Sequence, residues 1–195
     1  VTLTLDEMIE QTGVRQTGFR LLVDDLLRRQ WPTVVETGCA RQPGNWQGDG
    51  LSTLLWSAVP NAVVHTFDID REAVDNCREM VKDCPRTSVW LRDGITGLVW
   101  LEDLHASRLA AGISLLYLDS MDVDMANPHE AARHTLFEFI AARGLLRPGS
   151  LVAVDDNLRR EDDGRVVGKG RYVADFMSRA GKTLIHDGYQ MVWRW

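Results

Sequence analysis

The chain has 195 residues, 45% hydrophobic and 26% charged, with a formal net charge of −6. That mixture excludes a disordered tail, and the acidic balance argues against a nucleic-acid backbone as the main ligand. No apolar run approaches the roughly 20 residues a membrane helix needs, so neither nucleic acid nor membrane is expected as a partner.

The opening segment "VTLTLDEMIEQTG" has no basic stretch followed by an apolar one, so no signal peptide is expected. Cys39, Cys77 and Cys84 show no paired spacing, which points to free thiols in a reducing cytoplasm rather than to a zinc site. One domain over 1–195 fits this length, with the first 30 residues packing on or capping the site.

The periodicity alternates. "GFRLLVDDLLRRQ" is helical, with Phe19, Leu22, Val23, Leu26 and Leu27 on one face, and it stops before Pro32. "TVVETG" is a short β-branched strand, "STLLWSAV" a helix after the glycines, and "NAVVHTFDID" a second strand. Asp70 is placed to cap the next helix, whose buried stripe is Ala73, Val74, Cys77, Met80 and Val81. Strand "TSVWLRD", helix "GLVWLEDLHASRL", strand "ISLLYLD", helix "PHEAARHTLFEFIAARG" and strand "SLVAVDD" follow. After the helix "RYVADFMSRAG", the segments "KTLIHDG" and "YQMVWRW" read as a hairpin around Asp187 and Gly188. Several strands are continuous apolar runs, as in a parallel sheet covered on both faces. The fold class is α/β, a doubly wound, Rossmann-like, mostly parallel sheet with an antiparallel C-terminal hairpin.

Ligands bind such sheets at the carboxyl ends of the strands. Glu36, Asp68, Asp93, Asp119 and Asp155 each close a strand. Asp68 can accept both hydroxyl protons of a ribose; Asp93 can accept from an adenine amino group or serve as an ordinary turn residue beside Gly94. Gly38 and the glycines that follow let the backbone approach a ligand, although the strict G-x-G-x-x-G spacing is absent.

The E-x-G after the first strand, the acid after the second and the Asp after the third resemble a class I S-adenosylmethionine-dependent methyltransferase. "GLLRPGSLVAVDDN" resembles the matching segment of catechol O-methyltransferase and of metal-dependent sugar O-methyltransferases of antibiotic biosynthesis. The resemblance covers residues 33–158 and implies a seven-stranded methyltransferase sheet. It implies that Glu36, Thr37 and Gly38 line the methionine side of S-adenosylmethionine. Ser52 then contacts its carboxylate, Asp68 its ribose, and Asp93 lies near its adenine. The sequence departs from the family in "ARQPGNWQGD", from which Arg41 or Trp46 reaches the substrate or merely covers the cofactor.

Asp119 ends one strand, and Asp155 and Asp156 end the strand expected beside it. Strands lie about 4.8 Å apart, so three carboxylates gather around one point and call for a positive partner. Mg²⁺, or another divalent cation such as Mn²⁺, suits such oxygen ligands, and the resemblance implies the same three ligands. Asn157 is the alternative if the register slips by one. Asp122 stands where catechol O-methyltransferase has a lysine; the sugar enzymes' aspartate near this position makes it a candidate base, or a second acid holding metal-bound water. His134 is the alternative base. His129 lies five positions before it, too far around a helix to share one ion.

The polar segment 157–172 is either a lid or a plain connection, and Lys169, Arg171 or Arg159 could meet an anionic acceptor. The expected activity is transfer of a methyl group to a hydroxyl of a small molecule, with a sugar or other natural product as partner; a homo-oligomer is compatible with it. Two rivals are a metal-dependent oxygenase on the same scaffold, resembling cephalosporin hydroxylase, and a non-catalytic nucleoside-binding protein.

Overall fold

The strands assemble into a single sheet in the order β3-β2-β1-β4-β5-β7-β6. These are β1 (Thr33–Thr37), β2 (Val63–Asp68), β3 (Thr87–Leu91), β4 (Ile113–Leu118), β5 (Leu146–Val154), β6 (Thr183–Asp187) and β7 (Met191–Arg194). β1 to β5 run parallel, and β7 is antiparallel to both β5 and β6, as the hairpin reading requires. A computed structural model of the chain describes residues 3–105 and 112–195. Residues 106–109 of the helix expected over 97–109 lie outside them.

The helices are α1 (Leu5–Glu10), α2 (Gln16–Leu27), α3 (Ser52–Ala58), α4 (Arg71–Met80), α5 (Gly94–His105), α6 (Pro128–Ala142) and α7 (Arg171–Arg179). Alternate strand residues face opposite layers. Val34, Val64, Leu115, Tyr117 and Ala153 pack with Phe19, Leu22, Leu55, Trp56, Val74 and Cys77 from α2, α3 and α4. Val35, Phe67, Leu116, Leu118 and Val154 pack instead with Leu98, Phe139, Val173 and Met177 from α5, α6 and α7. Trp193 joins the second core, 2% exposed.

Local chemistry fixes where elements begin. The Asp70 carboxylate accepts from the Glu72 and Ala73 amides and starts α4, and Pro128 occupies the first turn of α6. The strand order reverses between β1 and β4, and a crevice opens at their carboxyl ends. No helix among the described residues is long and apolar enough to cross a membrane.

Candidate functional site

β1 ends at the crevice, and its residues divide between the two faces. Glu36 points toward α3, fully buried. Its carboxylate accepts from Ser52 Oγ (2.6 Å), Thr53 Oγ1 (2.6 Å) and Trp56 Nε1 (2.9 Å). Burial pushes its pKa up against those donors. Thr37 points the other way and donates to Glu138 Oε2 at 3.0 Å. The side chains of Glu36, Thr37 and Ser52 are therefore engaged inside the fold, because pinning β1 to α3 and α6 takes their polar atoms. Gly38 follows with φ +79, and a Cβ there would collide with the Asp119 carbonyl. Only glycine fits where β1 and β4 separate.

Asp68 stays at the crevice, half-buried. Its two carboxylate oxygens accept from the Cys39 amide (3.1 Å) and the Asp70 amide (2.9 Å), which fixes the turn after β1 and leaves further lone pairs open. Asp93 accepts from the Thr96 amide at 2.9 Å and starts α5. Asp68, Asp93, Phe67, Ile69, Met121 and His134 line one cavity of about 160 Å³, with Ile69 exposed at its rim. His134 Nε2 lies 3.3 Å from Glu138 Oε1, and this buried carboxylate raises the imidazole pKa.

Asp122 lies outside this cavity, exposed and held by both guanidinium nitrogens of Arg41 at 3.0 and 3.2 Å. Arg41 belongs to the segment 40–49, whose Trp46 is buried in the core. His129 contacts the Tyr172 hydroxyl at 3.0 Å, away from Glu138. The Asn157 side-chain amide donates to the Val154 and Tyr189 carbonyls, and its Oδ1 accepts from the Gly170 amide.

β4 and β5 are neighbours, with Leu118 opposite Val154, and their ends bring Asp119, Asp155 and Asp156 together. One carboxylate oxygen of each lies within 4.8 Å of the others. The positive partners are two side chains that the sequence reading did not place there. Arg15 Nε donates to Asp155 Oδ2 at 2.6 Å and its Nη2 to Asp156 Oδ1 at 3.2 Å, while Nη1 holds the Gln47 carbonyl at 3.0 Å. Lys169 Nζ lies 2.5 Å from Asp119 Oδ1 and 2.8 Å from Asp156 Oδ2. The Tyr189 hydroxyl donates to Asp156 at 2.5 Å.

Burial and the neighbouring acids push Asp119 well up, against the pull of Lys169. Burial likewise raises Asp155 despite Arg15. Burial opposes ionisation of Asp156 too, yet Lys169, Tyr189 and Arg15 together hold it below the usual carboxylate range. Three carboxylates suit a divalent ion by donor type. A divalent ion held by Asp119 and Asp156 would need the place the ammonium takes, so the cluster fits such an ion only with Lys169 displaced.

No protein-family model and no curated protein matches the sequence. The fold does match solved structures. MycE methyltransferase from the mycinamycin biosynthetic pathway, in complex with Mg and SAH, superposes with a TM-score of 0.68 at 15% identity, over 100% of this chain and 55% of that one. CalS11, a TDP-rhamnose 3'-O-methyltransferase of calicheamicin biosynthesis, gives 0.59 at 17% identity, over 94% and 81%. The N-methyltransferase NodS from Bradyrhizobium japonicum WM9 gives 0.55 at 13% identity, over 93% and 96%. The chain spans about half the length of MycE. It has the fold of the S-adenosylmethionine-dependent methyltransferases.

Proposed function

We propose that the chain transfers the methyl group of S-adenosylmethionine to a hydroxyl oxygen of a small molecule, a sugar or another polyhydroxylated natural product. The observation that carries this reading is the meeting of Gly38, the Asp68 carboxylate and the half-buried Asp119 at the strand ends of this fold. The cofactor supplies a sulfonium methyl with a neutral thioether as leaving group. Gly38 admits it to the backbone, Asp68 accepts from its ribose hydroxyls, and Ile69 and Met121 flank its base in the cavity that Asp93 borders. The neighbours' substrates support the acceptor class: CalS11 acts on TDP-rhamnose, and MycE belongs to mycinamycin biosynthesis.

An acceptor hydroxyl forms the new C–O bond as the S–C bond breaks, and it must give up its proton. His134 is the favoured base. Its Nε2 lies 3.3 Å from Glu138 Oε1, and with the proton on that nitrogen Nδ1 would be the acceptor for the hydroxyl proton. Asp122, clamped by Arg41, is the second candidate.

The alternative is a magnesium-assisted form of the same reaction, for which one observation speaks: the buried Asp155 Oδ1 has no hydrogen-bond partner among the described residues. Asp119, Asp155 and Asp156 would hold the ion, which acidifies a bound hydroxyl, once Lys169 had withdrawn.

Calorimetric titration with S-adenosylhomocysteine tests the proposal. Micromolar binding by the wild type, weakened at least about tenfold in Asp68→Ala, is the expected result, and a tenfold loss corresponds to about 1.4 kcal/mol. A wild type that does not bind sinks the reading.

A further inference from the structure

We infer that Lys169 is the resident cation of the acid cluster, so that the site runs on an ammonium built into the chain in the place where the resemblance implies a divalent ion. The inference rests on the proposed function only for the reaction it serves; the placement of Lys169 stands by itself.

Lysine is almost never fully buried without a partner, and Lys169 is 0% exposed. Its ammonium bridges Asp119 and Asp156, which come from the ends of two neighbouring strands. Its backbone is fixed just as closely. The Lys169 amide donates to the Asp156 carbonyl at 3.3 Å, the Gly168 amide to the Leu158 carbonyl at 3.2 Å, and the Gly170 amide to Asn157 Oδ1 at 3.0 Å. A Cβ at residue 168 would collide with the Asp156 carbonyl, and one at 170 with the Asn157 side chain. The Gly-Lys-Gly run is thus moulded onto the Asp156–Leu158 segment, and its one long side chain enters the cluster.

Arg15 approaches the same acids from the other side, through Asp155 and Asp156. Two fixed cations face three carboxylates, so one negative charge is left over. A divalent ion added beside both would make the cluster net positive and would sit against the ammonium. Lys169 does not touch the acceptor. It is a positioning residue that holds Asp119, whose side chain stays 17% exposed, in one orientation.

Manganese titration followed by electron paramagnetic resonance tests this on wild type, Lys169→Ala and Lys169→Ala with Asp119→Asn, with methyl transfer by the wild type measured in EDTA. Expected are no stoichiometric Mn²⁺ site on the wild type, one site gained by Lys169→Ala, loss of that site in the double variant, and wild-type turnover unchanged by EDTA. One tightly held Mn²⁺ on the wild type that disappears in Asp119→Asn would overturn the inference. So would a folded Lys169→Ala that gains no site. If Lys169→Ala does not fold, the neutralised pair Lys169→Met with Asp119→Asn must recover the fold, and its failure to do so also counts against the inference. S-adenosylhomocysteine titration on the same samples separates the two claims. A wild type that binds neither Mn²⁺ nor S-adenosylhomocysteine removes the methyltransferase reading and leaves Lys169 in its role.

Discussion

Gly38 and His134 show how much single residues decide at this crevice. Gly38→Ala puts a methyl against the Asp119 carbonyl in a left-handed conformation, so it is expected to cost about 2 kcal/mol or more, read from urea unfolding. The two candidate bases separate by kinetics. His134→Gln is expected to lower kcat by about 10²–10⁴-fold with S-adenosylhomocysteine affinity retained. Asp122→Asn removes an exposed ion pair with Arg41, and stability should move by no more than about 1 kcal/mol. If Asp122→Asn carries the kcat loss and His134→Gln does not, the assignment of the base reverses. His134 also has a pH signature. Its folded pKa is raised above 6.5, so its pairing with Glu138 contributes fully below that value and is lost as pH rises through the folded one. The stability gap between wild type and His134→Gln should therefore be widest below pH 6.5 and close above it; a gap that widens toward alkaline pH contradicts the pairing.

At the scale of elements, the β1–α3 junction hangs on one carboxylate. Glu36→Ala would leave three buried donors, on Ser52, Thr53 and Trp56, without an acceptor, and is expected to cost about 3 kcal/mol or more in chemical denaturation. A loss under about 1 kcal/mol would mean that Glu36 is not the pin described. The elements themselves were legible in the sequence, since apolar runs marked the strands and Asp70 and Pro128 marked helix starts. The direction of Glu36 was harder to read. A strand-end acid looks like a ligand, yet the period of two puts Glu36 on the face of Val34, toward α3, and Thr37 on the face of Val35, toward α6. Which of two successive residues faces a helix depends on how the layers dock, and one strand's composition does not encode that.

Across the whole molecule, the convergence of Asp119, Asp155 and Asp156 was legible because it needs only two neighbouring strands and their ends. The demand for positive charge followed from the same reasoning. The supplier did not, because Arg15 lies 140 positions from Asp155 and Lys169 lies 50 from Asp119, and only tertiary docking brings them there. The flanking glycines of Lys169 were the one local signal, and in sequence they read equally well as a loose loop.

The same long reach has a consequence for how the molecule forms. Asp156 is tied to Arg15 near the beginning of the chain, to Lys169, and to Tyr189 in the turn of the last hairpin. Closing loops of this span is an entropic cost met only once the central strands are in place, so these ties are expected to form late. On a ribosome the acids emerge before two of their partners exist. Until Lys169 is in place, Arg15 alone of the two cations faces three carboxylates, and the excess negative charge stays where β4 and β5 end. A chain arrested before Lys169 is made would hold the three acids of the site with Arg15 beside them and without the ammonium.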